Sequence, residues 1–159
     1  GSTTNAGGTK LNSGKLKLDG ASASLGTGDV TVDGVGLVGA TLVAAGKLRI
    51  LSGVSDAISN SATLSLTGGG TVDVADVGAV ELGSTETANQ LVLGGVGQAP
   101  GTYGATGSGA TNILDEYFAG SGILTVLSAG AGGGGAVPEP TTAAMLMLGM
   151  AGLALRRRR

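Results

Sequence analysis

The chain has 159 residues, 33 of them glycine, with 42% hydrophobic and only 2% aromatic residues and a formal charge of −2. It contains no cysteine and no histidine, which excludes disulfides, thiolate metal sites, thiol nucleophiles and imidazole general bases. This much glycine without a collagen-like triplet leaves either disorder or a turn-dense β architecture, and the positive mean hydropathy argues against wholesale disorder.

The charge is unevenly placed. Residues 1–136 carry five basic groups (Lys10, Lys15, Lys17, Lys47 and Arg49) against ten acidic ones, whereas residues 137–159 carry four arginines against Glu139. An acidic body without a basic stripe argues against a nucleic-acid partner.

Gly7–Leu18, GGTKLNSGKLKL, aligns with Gly39–Ile50, GATLVAAGKLRI, at a shift of 32. Gly7, Thr9, Gly14, Lys15 and Leu16 recur as Gly39, Thr41, Gly46, Lys47 and Leu48, and a looser third copy places Val80 and Leu82 where Leu48 and Ile50 stand. No fourth copy is visible. Within each copy the period is two: Leu16 and Leu18 alternate with Lys15 and Lys17. Val30–Val32, Leu64–Leu66, Val72–Val74, Leu91–Leu93 and Ile123–Leu127 behave alike. Such alternation predicts short strands with one buried face, joined by Gly, Asn, Ser and Asp turns.

Short strands at a fixed period predict an all-β solenoid over residues 1–127, with Leu16 stacked over Leu48 and Val80, and Leu18 over Ile50 and Leu82. The alternative is an antiparallel β-sandwich with coincidental spacing. One coil cannot offset its own ordering cost of about 1–2 kcal/mol per residue, so neighbouring coils must cover it. The opening residues read as mid-repeat, so further coils are expected upstream.

The segment Gly7–Leu18 followed by SLGTGDVTVDG resembles the autotransporter-associated β-strand repeat, through Gly7, Gly8, Thr9, Gly14, Leu16, Leu25, Gly26, Thr27 and Gly28. That resemblance implies a right-handed parallel β-helix on a secreted, surface-displayed protein. Gln90–Val126 is similar to the closing segment of such proteins, which implies that Tyr103 and Phe118 cap the last coil.

Residues 128–136, SAGAGGGGA, carry no side chain large enough to pack and read as a flexible linker. Pro138 and Pro140 then flank Glu139 and disfavour helix there, so a helix is expected to begin at Thr141 or Thr142. The apolar run is Ala143, Ala144, Met145, Leu146, Met147, Leu148, Gly149, Met150, Ala151, Gly152, Leu153, Ala154 and Leu155. Counted from Thr141, it would rise roughly 22 Å as a helix, short of a hydrocarbon core of about 30 Å. Arg156, Arg157, Arg158 and Arg159 can snorkel outward, and an arginine cluster beside a membrane helix belongs on the cytoplasmic side. The body is thus expected beyond the inner membrane, held there transiently by its C-terminus.

Pro138-Glu139-Pro140, an apolar span and a terminal basic cluster resemble the PEP-CTERM sorting signal. The resemblance implies export, recognition and processing of residues 137–159 by an exosortase, and release of the body to the cell surface or extracellular matrix. Extracellular polysaccharide is the further partner it suggests.

Catalysis in the body would need clustered carboxylates, and Asp29, Asp33, Asp73 and Asp76 are the candidates. Asp73 alternates with valines and faces outward, while Asp29 and Asp33 flank a strand at ordinary turn positions. Leu25–Val30, LGTGDV, is a single partial copy of a calcium-turn pattern that works only when repeated. No glycine stretch sits in the strand-then-helix context of a phosphate loop. The expectation is therefore a structural or adhesive protein, with no catalytic residue, metal or cofactor. The alternative is the C-terminal part of an extracellular polysaccharide-active enzyme or glycan-binding protein whose active domain lies upstream.

Overall fold

The computed structural model describes residues 5–33, 37–38, 41–42, 46–66 and 80–131. Among them there are fifteen strands and no helix. In chain order they are β1 (Thr9–Leu11), β2 (Gly14–Leu18), β3 (Val30–Val32), β4 (Leu37–Val38), β5 (Thr41–Leu42), β6 (Gly46–Ile50), β7 (Thr63–Leu66) and β8 (Val80–Leu82). There follow β9 (Glu86–Ala88), β10 (Gln90–Leu93), β11 (Val96–Gly97), β12 (Gly101–Gly104), β13 (Asn112–Ile113), β14 (Phe118–Ala119) and β15 (Leu124–Val126). The expected strands at Val30–Val32, Leu64–Leu66, Leu91–Leu93 and within Ile123–Leu127 are present, while Val72–Val74 lies outside the described residues. So does the expected helix, from Thr141 to Leu155.

The strands form parallel rows. One row is β1-β3-β7-β10 and a second is β2-β6-β8-β14. In the second, Leu16 pairs with Leu48 and Leu48 with Val80, while Leu18 pairs with Ile50 and Ile50 with Leu82. These are the side chains that the shift of 32 places above one another. A third row holds β9 parallel to β15. Below it the Ala57 carbonyl accepts from the Leu25 amide, and the Ile58 amide reaches the Glu86 carboxyl. The chain visits the first, second and third rows in that order four times, making four tiers.

The fourth tier of the second row is a strand that alternation does not reveal. β14 pairs on β8 through Phe118↔Val80 and Ala119↔Glu81. Only two residues long, it is displaced by the excursion from Gly94 to Tyr117, which breaks the regular shift. That excursion folds back as a cover. Gly94 and Gly95, with φ of 57° and 84°, make a two-residue hairpin turn that lays β11 antiparallel on β10. β12 lies antiparallel on β15, and β13 parallel on β12. Two sheet edges of the last tier are thereby paired rather than left open.

The core is aliphatic. Leu48, Ile50, Leu64, Leu66, Leu82, Leu91 and Leu124 are almost fully buried. Each contributes roughly 1.5–3 kcal/mol through burial. Phe118 and Tyr103 are buried in the last tier, where the Tyr103 hydroxyl donates to the Ala99 carbonyl at 2.7 Å. The expected linker begins attached to the body: the Ser128 amide donates to the Asn89 carbonyl at 2.8 Å and the Gly130 amide to the Gln98 carbonyl at 3.0 Å.

Candidate functional site

The outward positions of the second row carry most of the body's positive charge. Register sets Lys15 opposite Lys47 and Lys17 opposite Arg49. Like charges directly opposite one another destabilise a sheet. Glu81, opposite Arg49 on the next strand, relieves this: its carboxylate lies 2.9 Å from Arg49 Nε and 3.9 Å from Lys47 Nζ. Lys17 also lies 2.9 Å from Asp19, and its hydrogen bond and charge hold the Asp19 carboxyl below the usual range. Glu81→Gln should therefore lower stability by about 0.5–1 kcal/mol at low ionic strength, and the loss should shrink in molar salt. Urea unfolding at two salt concentrations checks this, and a salt-independent loss would contradict it.

Two of the four carboxylates weighed as catalytic candidates, Asp29 and Asp33, have structural partners. Asp29 Oδ1 accepts from the Thr63 amide at 2.7 Å, which fastens the start of β7. Asp33 lies 3.7 Å from Lys10 Nζ. Asp73 and Asp76 lie outside the described residues. An open depression of about 380 Å³ lies between the Ala6–Lys10 segment and Gly28, Asp29 and Thr31. Among the described residues, Asp29 is the one carboxylate in its lining. Among the described residues, no three acidic side chains converge as metal ligands would.

One group went unnoticed in the sequence. Glu86, in β9, is 1% exposed. Its Oε2 accepts from the Ile58 amide at 3.3 Å, and its Oε1 has no hydrogen-bond partner. Its pKa is raised to about 7: burial is the largest cause, the Ile58 and Ala57 amides oppose it, and the Asp56 charge adds to it. A glutamate between two threonines reads as an outward residue, so only its alternation with Ala88 hinted at the inward position.

The sorting residues Pro138, Glu139 and Pro140, the span Ala143–Leu155 and the cluster Arg156–Arg159 all lie outside the described residues. The profile of one family matches there, over residues 136–159. These residues carry a PEP-CTERM protein-sorting motif. The PEP-CTERM motif implies an exported protein with a C-terminal membrane anchor that is processed by an exosortase. No curated protein and no solved structure matches the chain.

Proposed function

We propose that this chain is the sorting-tail-bearing part of a structural or adhesive protein of the cell surface or extracellular matrix. Its body is a right-handed parallel β-helix of the autotransporter-associated repeat type, and its tail is a transient anchor removed by an exosortase. The observation that carries the reading is the PEP-CTERM motif at residues 136–159, joined to a body of parallel strand rows. Four tiers built on the same three rows favour a helix over a sandwich, because a sandwich of hairpins would pair its neighbours antiparallel. A structural rather than catalytic role draws support from Asp29 and Asp33, whose carboxylates serve a backbone amide and a lysine. Extracellular polysaccharide is the proposed external partner.

The test is the intact mass of the protein recovered from the native envelope and medium, with and without Pro138-Glu139-Pro140→Ala-Ala-Ala. The wild type should lose the mass of the segment beyond the motif and leave the inner membrane. The triple variant should stay full-length and membrane-bound. If both forms keep Arg156–Arg159, the tail is a permanent anchor and the processing step is refuted.

A further inference from the structure

The third row is built differently in its lower and upper halves. In the upper half, β9 and β15 make a regular parallel ladder. In the lower half there is no strand, and tier-to-tier contact rests on isolated hydrogen bonds. The Leu25 amide of the first tier donates to the Ala57 carbonyl of the second at 2.9 Å. The next residue, Ile58, donates its amide to Glu86 Oε2 of the third tier. A side-chain carboxyl thus occupies the place that a backbone carbonyl fills in a ladder.

The turn that it holds is costly to bury. Ala57 and Ile58 are fully buried, and Asp56 just before them sits at φ 52°, a left-handed conformation uncommon for a non-glycine residue. Ser84, two residues before Glu86, donates its hydroxyl to the Val54 carbonyl and secures the other end of the same turn. Glu86 Oε1 stays buried and unpartnered. A neutral carboxyl tolerates that position, whereas a carboxylate there loses its hydration without full compensation.

We propose that Glu86 is a pH-sensitive latch: protonated, it pins the Ala57–Ile58 turn of the second tier to β9 of the third, and ionised, it lets that turn swing out. Asp56 is the one ionisable side chain in the 54–62 segment packed against it, and β15 on its other side contributes none. Asp56 acts in the same direction, because its negative charge disfavours a second one nearby. An unlatched chain titrates Glu86 near the ordinary 4.5 and a latched chain near 7. Below 4.5 both forms are protonated and the latch is at full strength. Between 4.5 and 7 the open form binds fewer protons, so closure weakens as pH rises, and above 7 it levels off. An exported chain meets the pH of its surroundings, so this transition is exposed to the environment.

The test is NMR on the labelled full-length chain in detergent micelles, following the Glu86 side-chain carboxyl and amide hydrogen exchange from pH 5 to 8. The carboxyl should titrate near 7. After correction for the base catalysis of exchange itself, protection at Ile58 and Leu25 should fall on the order of 50-fold over that range. Protection at Leu66, in the first row, should change far less. In Glu86→Gln, which keeps an acceptor for Ile58 but cannot ionise, the Ile58 dependence should vanish. If that variant does not fold, the wild-type titration decides. A carboxyl midpoint near 4.5, pH-independent protection at Ile58, or an equal fall at Leu66 would each overturn the latch.

Discussion

Phe118→Ala should cost about 3–5 kcal/mol, because the alanine leaves a cavity that the surrounding tiers cannot close. Phe118 is the largest of the fully buried side chains among the described residues. It stands opposite Val80 in the terminal tier of the second row. Its position is fixed on two sides: its own amide donates to the Leu114 carbonyl at 2.9 Å, and the Val80 amide donates to the Tyr117 carbonyl at 3.0 Å. The chain's other two rings are tyrosines, and both are tied down: the Tyr103 hydroxyl donates to the Ala99 carbonyl, and the Tyr117 carbonyl accepts from the Val80 amide. The lower tiers are filled by Leu, Ile and Val, whose fixed rotamers leave little room for collapse. Urea and thermal unfolding should show the loss, with a melting temperature lower by roughly 10 °C. Phe118→Leu should recover most of it. A loss under about 1 kcal/mol would mean that the last tier frays independently of the core and that Phe118 does not anchor it.

The second row was readable from sequence for a definite reason. In β2 and β6, two inward aliphatics alternate with two cations, and the segments between successive rungs of β2, β6 and β8 happen to be equal in length. The constant shift of 32 belongs to this row. In the first row, the step from Val30 to Leu64 differs from that from Leu64 to Leu91. Chain excursions between the first and second rows vary the length of each tier, and no fixed shift can show a ladder whose steps are unequal. β14 was hidden for the same reason, its two residues being too few to display a period. β9 was hidden because its inward side chains are Glu86 and Ala88, neither of which reads as core. The candidate site divides in the same way. Pro138-Glu139-Pro140 and the terminal arginines are contiguous, so a linear motif exposes them. Glu86 depends on Ile58 across a tier boundary, and only the folded chain brings those two together.

The glycines of the Gly7–Thr9 and Leu25–Gly28 segments yield the second large effect. Gly28→Ala should destabilise the body by about 3 kcal/mol, the upper end of ordinary overpacking costs. A Cβ on Gly28 would run into the backbone nitrogen and Cα of Gly8 and approach the Ala6 carbonyl to 2.8 Å. All of these are main-chain atoms, so no side chain can rotate aside. The crowding arises because two turns cross backbone to backbone. The Asn5 carbonyl accepts from the Thr27 amide at 3.1 Å and from the Gly28 amide at 3.3 Å, while the Thr9 amide donates to the Asp29 carbonyl at 2.8 Å. Together these bonds clamp the Gly7-Gly8-Thr9 turn onto the Leu25–Gly28 turn of the same tier. In this chain the two turns therefore each leave the space that the other fills: a Cβ on Gly8 would meet the Asp29 carbonyl, and one on Gly26 the Asn5 backbone. Gly7→Ala is the matched control: its Cβ would meet only Asn5 Oδ1 at 3.5 Å, an ordinary contact. That substitution should stay within about 0.5 kcal/mol, as surface changes do. Urea midpoints of the two variants measured side by side decide the matter. If Gly28→Ala proves as mild as Gly7→Ala, the two turns do not cross at contact distance, and the clamp is not what the paired glycine motifs serve.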